Sequence, residues 1–415
     1  MREGYLNQYF RAIAIKRLSL VEASPEISHQ HEYNGVTLLK DMFGTEVPRK
    51  NITTQFLFLS DEEDDLEAEG ELTWYDARYN HPTRTEWRLY YPTNDVTRAA
   101  SAGDALFICL KSDGTVLEII AKRDTIIESQ LFWLFNLSPD EETGRFRANM
   151  NLSDQAADKA GFVARMILYK IGIEISADQD DYSDLLIEKF GNVFPSSRDF
   201  SEFARSTVPD VDPIEDPDLA LIKWYDRETE MFKSMERLII QERLKEGFAS
   251  GNQVDVDAFI QFSLSVNNRR KARAGLSLEN HLEALFLLQQ IQYSHTPITE
   301  NRSKPDFIFP SIELYRDLDY PSEKLTMLGA KTTAKDRWRQ VLEEADRIEN
   351  KHLITLEGAI SENQTNEMIS RNLQLVVPIE IQRSYTPNQQ NWLFSVKDFI
   401  DLVQERQEFS RKYSI

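Results

Sequence analysis

The C-terminal half of the chain contains short apolar runs of strand length that are interspersed with helical stretches, and this series constrains the fold most strongly. In order, the segments are 307–310, 325–330, a helical pattern at about 334–349, 352–356, a helical stretch at 361–371, and 373–377. Short apolar runs bounded by turns are typical of buried strands. Strand, strand, helix, strand, helix, strand predicts an α/β core, a mixed sheet flanked by helices.

Three side chains with reactive chemistry stand beside these runs. Asp306 precedes the first run, Lys331 follows the second, and Glu344 is expected about three turns into the helix predicted at 334–349. Carboxylates close enough to share a divalent cation can polarise water and offset phosphoryl charge, and an ammonium beside them can orient a nucleophile. Taken singly, a Pro-Asp pair is usually a turn and a lysine ending a strand is commonly an edge residue. Together they indicate phosphodiester hydrolysis.

Composition fits an ordinary globular protein large enough for two domains. The chain has 415 residues, of which 41% are hydrophobic and 28% charged. No apolar run approaches the length of a membrane span, and the N-terminus lacks the features of a signal peptide. The lone cysteine, Cys109, excludes an internal disulfide framework and a multi-cysteine zinc site. We therefore expect a cytoplasmic protein without a membrane partner.

The charge distribution is uneven. The net charge of −21 should lower non-specific affinity for DNA, since that affinity depends on Lys and Arg. Eight of the eleven residues at 61–71 are acidic, which is typical of a solvated loop. Basic residues cluster at 269–273 and 331–339. A local cleft potential can oppose the global sign, so binding to DNA at particular sites remains compatible with this composition.

The domain organisation follows from the remaining patterns. Residues 1–175 are rich in strand-length runs, with a helix expected around 153–173. An acidic, polar stretch after residue 175 predicts a linker at 176–190, and residues 191–415 would form the second domain. Helices should dominate 185–288 before the α/β core begins.

Four segments together resemble a known family. They are Asn-Arg-Arg-Lys at 268–271, Ser-Leu-Glu at 277–279, Lys-Pro-Asp-Phe at 304–307, and the run from Lys331 to Gln340. In this order they resemble the catalytic domain of EcoRII-type restriction endonucleases, over about 194–377. These enzymes belong to the PD-(D/E)XK nuclease superfamily, in a branch whose second acidic residue lies after the lysine. Glu344 occupies that position.

The resemblance implies a Mg²⁺-dependent type II endonuclease. It implies that Asp306 and Glu344 are the metal ligands and that Lys331 positions the attacking water. Glu279 matches a further acidic residue of the family, on the preceding helix. The expected fold is restriction-endonuclease-like.

The resemblance also implies DNA contacts. Lys335, Asp336 and Arg337 match base-reading residues of the family. Arg and Lys can donate to guanine O6 and N7, and Asp can accept from cytosine N4, which suits the G·C pairs of the CC…GG sites of this family. Arg270 and Lys271 are expected to contact phosphates, although a solvated helix end explains them equally well.

For the first domain, the resemblance implies an N-terminal DNA-binding pseudobarrel that binds a second copy of the target. Arg84, Glu86 and Arg88 match one of its DNA-contacting loops, and His29 corresponds to another. Trp87 departs from the pattern, since the family loop is more basic there. This departure puts the target sequence of the first domain in doubt.

The sequence also bears on ATP use and on the expected partners. No Gly-rich phosphate loop for ATP is present. A near-palindromic duplex site is most simply cut by two symmetry-related active sites, so we expect a homodimer, with a cognate DNA methyltransferase acting on the same site. The alternatives are a modification-dependent or repair nuclease of the same fold, or a DNA-binding regulator without catalysis.

Overall fold

The chain forms two compact units. The computed structural model describes residues 6–24, 31–61, 65–138, 145–149, 161–173, 182–250, 253–334 and 337–413. One unit comprises residues 1–178 with 359–363, and the other comprises residues 179–358 with 364–415. None of the helices in these described ranges is long and apolar enough to cross a membrane.

The first unit is built on an eight-stranded sheet, which confirms the prediction of a β-rich N-terminal region. Its strands are β1 (Phe10–Arg17), β2 (Glu32–Asn34), β3 (Arg49–Leu59), β4 (Leu66–Asp76), β5 (Trp87–Tyr90), β6 (Ala105–Lys111), β7 (Val116–Ala121) and β8 (Arg147–Asn149). They are ordered β2-β5-β4-β3-β7-β6-β1-β8, and every neighbouring pair is antiparallel except β3 and β7.

Six helices accompany this sheet in the described part of the unit. They are α1 (Leu6–Tyr9), α2 (Leu20–Ala23), α3 (Thr37–Phe43), α4 (Asp95–Ala99), α5 (Ile126–Phe135) and α6 (Phe162–Lys170). The helix expected around 153–173 is present as α6, while its predicted first part, up to residue 160, lies outside the described residues.

The acidic stretch at 61–71 is not simply a loop, so that prediction was wrong for its second half. Residues from Leu66 onward form β4, which pairs with β3 over ten residues. Charge alternates with small or apolar residues here, so the pleat places Glu67 and Glu71 on one face of the strand. Gln55 donates to Glu67 at 2.8 Å and Asn51 donates to Glu71 at 3.1 Å. Cross-strand amides therefore accommodate the acids.

A carboxyl group is buried in the core of this unit. Glu118 lies on β7 between Val116 and Ile120, which belong to the main hydrophobic core, and it is fully buried. The hydroxyl of Tyr33 donates to Glu118 at 3.1 Å, and the Tyr33 ring stacks on Tyr91. Burial raises the pKa of Glu118 to about 8, although the hydrogen bond from Tyr33 lowers it.

The second unit contains a five-stranded mixed sheet flanked by helices, which confirms the predicted α/β core. Its strands are β11 (Ser294–His295), β12 (Phe307–Phe309), β13 (Thr326–Ala330), β14 (Lys351–Ile354) and β15 (Leu373–Val376), in that spatial order. The β11–β12 and β12–β13 pairs are antiparallel, whereas the β13–β14 and β14–β15 pairs are parallel. A separate two-stranded ribbon joins β9 (Ala249–Ser250) to β10 (Gln253–Val254).

Along the chain, the helices of the second unit lie before, between and after the strands of this sheet. They are α7 (Ser183–Phe190), α8 (Ser197–Ser206), α9 (Pro217–Glu246), α10 (Val256–Leu288), α11 (Ile312–Arg316), α12 (Arg337–Leu342), α13 (Glu362–Ser370), α14 (Ile379–Gln382), α15 (Pro387–Gln390) and α16 (Val396–Tyr413), with short 3₁₀ turns at Glu300–Arg302 and Ser322–Lys324. Helix α7 lies inside the predicted linker 176–190. Its Leu186 is fully buried in a cluster with Phe200 and Met231.

Helix α10 connects the sheet to the helical layer. The ring of Phe286 meets Phe307 and Phe309 edge to face, with centroids 5.3 Å and 5.2 Å apart. On another side of α10, the fully buried His281 approaches Glu228 of α9, with 3.0 Å between Nε2 and Oε2. The basic run 269–273 lies in the interior of α10, so its interpretation as a helix end was wrong.

The helix predicted at 334–349 is much shorter, because α12 ends at Leu342. The ammonium of Lys351 donates to the carbonyl of Leu342 at 2.8 Å and so occupies an acceptor that a longer helix would use. Ala345 then adopts a left-handed backbone with φ of 52°. Glu344 therefore lies in the turn after the helix and not within it.

A close approach between β13 and α12 fixes the position of this turn. A Cβ added at Gly329 would lie 2.8 Å from a methyl carbon of Val341, which is closer than real contacts allow. Only glycine lets the helix pack at this distance. The amide of Glu344 donates to the carbonyl of Val341 at 3.2 Å, so the turn continues directly from the packed helix.

Candidate active site

Asp306 and Lys331 meet because their strands are antiparallel. Phe307 pairs with Leu328, so the start of β12 lies beside the end of β13. The ammonium of Lys331 donates to Oδ2 of Asp306 at 2.8 Å. The same oxygen accepts the backbone N–H of Ala330 at 2.6 Å. The carboxylate is thus fixed by one charged and one backbone donor, and its side chain is only 12% exposed.

Glu344 lies close enough to both residues for their charges to interact. Burial raises the pKa of Glu344 to about 7; the charge of Lys331 opposes this rise, and the charge of Asp306 adds to it. The Oε2 atom of Glu344 is buried and has no hydrogen-bond partner among the described residues. The structure therefore brings together the two acids and the lysine that the sequence singled out.

The predicted metal ion can be tested against this arrangement. A buried carboxylate oxygen without a donor, near a second carboxylate, lacks positive charge that a hard divalent cation would supply. No cluster of three or more His, Cys, Asp or Glu side chains with metal-binding geometry occurs within the described ranges. The residues that would hold such an ion are consequently the two carboxylates, Asp306 and Glu344.

Glu279 lies on α10 and is held by a histidine that sequence reasoning missed. The Nε2 atom of His295 lies 3.0 Å from Oε2 of Glu279, and its Nδ1 atom lies 3.5 Å from Oε1 of Glu283. The hydrogen bond with Glu279 raises the pKa of His295, burial opposes the rise, and Asp306 is among the charges that add to it. The sequence offered no clear signal for His295, because its strand, Ser294–His295, is only two residues long.

Of the two predicted phosphate contacts on α10, Arg270 and Lys271, the structure describes the side chain of Arg270. The guanidinium of Arg270 donates to both carboxylate oxygens of Glu236, with Nε at 2.9 Å and 2.7 Å from them. The Glu236 side chain is only 4% exposed, whereas that of Arg270 is 44% exposed. The side chain of Lys271 lies outside the described residues. Arg270 is therefore a structural partner of a buried acid, whatever else it contacts.

The predicted base-reading segment lies between Lys331 and Glu344. Arg337 is the first residue of α12 and is exposed. Lys335 and Asp336 lie outside the described residues. The six-residue α12 thus connects this segment to the turn that contains Glu344.

In the first unit, two residues of the predicted DNA-contacting loop, Glu86 and Arg88, form ion pairs within the protein. Arg84 is exposed, while Glu86 accepts from both Arg78 and Arg88. His29 lies outside the described residues. Trp87, the departure from the family pattern, is buried and stacks on Trp74 with centroids 5.0 Å apart. It serves the core and leaves the exposed positions of the loop to polar residues.

Comparison with known proteins finds two curated relatives that are similar to part of the chain. The chain is 40% identical over 215 residues to the type II restriction enzyme EcoRII of Escherichia coli, which is 52% of each chain. It is 29% identical over 163 residues to the type II restriction enzyme SsoII of Shigella sonnei, covering 37% of this chain and 51% of that enzyme. The chain thus spans about half the length of the curated relatives it matches.

Two solved structures overlap part of the chain. A structure of metal-depleted Ecl18kI with uncleaved, modified DNA has a TM-score of 0.44 and 21% identity, covering 56% of this chain and 85% of that chain. A PspGI–substrate DNA complex has a TM-score of 0.41 and 16% identity, covering 51% and 93%.

The family model described as "EcoRII C terminal" matches residues 232–400. This range includes all four predicted catalytic residues, Glu279, Asp306, Lys331 and Glu344. Over residues 232–400, the chain is therefore similar to the C-terminal domain of EcoRII.

Proposed function

We propose that this protein is a type II restriction endonuclease that binds a short, G·C-rich, near-palindromic DNA site and hydrolyses both strands with Mg²⁺. The observation that carries the proposal is the convergence of Asp306, Lys331 and Glu344 at the ends of β12 and β13. The 40% identity to EcoRII over half the chain supports the same activity.

In the proposed mechanism, Asp306 and Glu344 hold the metal. A bound Mg²⁺ supplies a polarised water and offsets charge on the phosphate. The ammonium of Lys331 has three N–H donors, one of which is used on Asp306. Its other donors orient the attacking water and stabilise the phosphoryl oxygens as charge develops. Asp306 thereby fixes the lysine in place before DNA arrives.

Recognition of the DNA sequence is assigned to the segment before the turn that contains Glu344. Lys335, Asp336 and Arg337 would read adjacent G·C pairs in the major groove. In the first unit, exposed Arg84 is the proposed leading contact of a second DNA-binding site. Arg88 and Glu86 are ion-paired and would have to exchange partners to contact DNA; His29 is proposed to contact it as well.

The proposed assembly is a homodimer, since a near-palindromic site presents two symmetry-related scissile bonds. A cognate methyltransferase would protect the same site in the host. We propose a cytoplasmic location, where both proteins would meet DNA.

The test is a digest of supercoiled and linear DNA with Mg²⁺, followed by sequencing of the product ends. Discrete fragments with a shared end sequence are expected, and Asp306→Asn should abolish them. Binding without cutting would favour a non-catalytic regulator. Cutting that requires methylated substrate would favour a modification-dependent nuclease.

A further inference from the structure

Two acids on α10, Glu279 and Glu283, are candidates for the further acidic residue of the proposed active site. Glu279 and Glu283 are four residues apart and lie on one face of the helix. Glu283 has three partners: Arg198 at 2.7 Å, the hydroxyl of Tyr293 at 3.2 Å and His295 at 3.5 Å. Among the described residues, Glu279 has one hydrogen-bond partner, His295 at 3.0 Å.

The ring of His295 is itself held rigidly. Its backbone pairs with Phe307 across β11 and β12, and its ring stacks on Phe307 with centroids 5.0 Å apart and planes at 23°. Phe307 is fully buried and directly follows Asp306. The imidazole is thus built on the same strand pair that places the catalytic aspartate.

We propose that His295 is a positioning residue that fixes the Glu279 carboxylate at the active site. The inference rests on the proposed function and deepens it. One imidazole spans the two carboxylates, so Nδ1 faces Glu283 while Nε2 holds Glu279. Glu283 is also held by Arg198 and the hydroxyl of Tyr293 and stays structural. Glu279 keeps an oxygen for the reaction, and its orientation depends on a single donor.

In this proposal, the essential feature of His295 is the hydrogen bond from its Nε2 atom to the carboxylate of Glu279. Gln places an amide nitrogen near the Nε2 position, whereas Asn places one near Nδ1 and cannot reach Glu279. Phe keeps the stack on Phe307 and supplies no donor. These three substitutions separate the hydrogen bond from the packing.

The experiment measures cleavage and histidine NMR on the full chain. His295→Asn and His295→Phe should lower kcat by about 10- to 100-fold with KM for DNA little changed, the range seen when a ligand-orienting partner is lost, and His295→Gln should recover most of kcat. With ¹⁵N-labelled histidine, Glu279→Gln should shift the His295 Nε2 signal more than Glu283→Gln does.

The two readouts fail in different ways. If the wild-type protein cuts DNA and His295→Asn or His295→Phe cuts at its rate, or His295→Gln is as slow as the other two, the positioning role is wrong although the proposed function stands. Equal NMR shifts from the two glutamate substitutions would also overturn it. If the wild type cuts nothing while the Nε2 signal follows Glu279, the proposed function has failed and the His295–Glu279 coupling is upheld.

Discussion

Glu118→Gln should abolish a pH dependence of stability in the first unit. Burial raises the pKa of Glu118 from an ordinary 4.5 to about 8, so the folded chain retains a proton there that the unfolded chain releases. Stability associated with this group is therefore full below about pH 4.5 and falls as the pH rises towards 8. At 1.36 kcal/mol per pKa unit, the loss between about pH 5 and pH 8 is roughly 3–4 kcal/mol.

The groups facing Glu118 do not cancel this effect. Tyr33 and Tyr91 stay neutral over this range, since burial raises the pKa of both. Glu22 adds negative charge nearby, but its carboxylate is paired with Lys16 at 2.7 Å. Ionised Glu118 would therefore remain an uncompensated buried charge.

Scanning calorimetry of the full chain at about pH 5, 6, 7 and 8 provides the measurement. For a unit of this size, 3–4 kcal/mol corresponds to a decrease in Tm of roughly 6–15 °C. The Gln variant should lack this decrease, although its amide can lower stability at every pH. Glu69→Gln makes the same chemical change at an exposed position and serves as the control. Parallel pH profiles for wild type and Glu118→Gln would refute the reasoning.

Three further predictions concern the second unit. Lys331→Ala should slow DNA cleavage by about 10²- to 10⁴-fold while duplex binding persists, and cleavage at the wild-type rate would exclude Lys331 from the active site. Arg337→Ala should lose about 1–3 kcal/mol of discrimination at one base pair, measured with single-substitution duplexes; an equal loss on all sequences would argue for a phosphate contact. Arg270→Ala should lower the free energy of unfolding by about 1–3 kcal/mol in urea, because it leaves Glu236 buried without its partner, and the exposure of Arg270 reduces the effect. An unchanged urea midpoint, with a smaller salt dependence of DNA binding, would instead make Arg270 a DNA contact.

Four of the five strands in the sheet of the second unit, β12 to β15, were predictable because they are short, apolar and bounded by turns. The pairing of Asp306 with Lys331 follows from the same pattern, once two adjacent strands are antiparallel. The first inference uses local periodicity alone, and the second also needs the antiparallel pairing of β12 with β13.

The end of α12 could not be predicted in this way. Residues 343–349 have helical periodicity, but the helix ends at Leu342, whose carbonyl accepts from the ammonium of Lys351 on the next strand. Arg347 also donates to the carbonyls of Tyr315 and Tyr320 and ties the turn to an earlier loop. Such contacts depend on the folded sheet, so tertiary structure overrides local propensity here.

His295 and Arg270 show a second limit. His295 stands on a two-residue strand, too short to produce a visible alternation. Arg270 belongs to a basic cluster whose composition indicated DNA, but its partner Glu236 is 34 residues away on another helix. Composition identifies charge, whereas the fold decides which charges are already paired.

The register between β12 and β13 limits where the chain can accept inserted residues during evolution. Phe307 opposite Leu328 and Phe309 opposite Thr326 fix the position of Asp306 beside Lys331 through backbone hydrogen bonds. The connection at 310–325 can gain or lose residues while the register holds. One residue inserted between Asp306 and Phe309 would instead turn the carboxylate to the other face of the sheet. Tolerance to insertion should therefore drop abruptly within those few positions, while many substitutions around them survive.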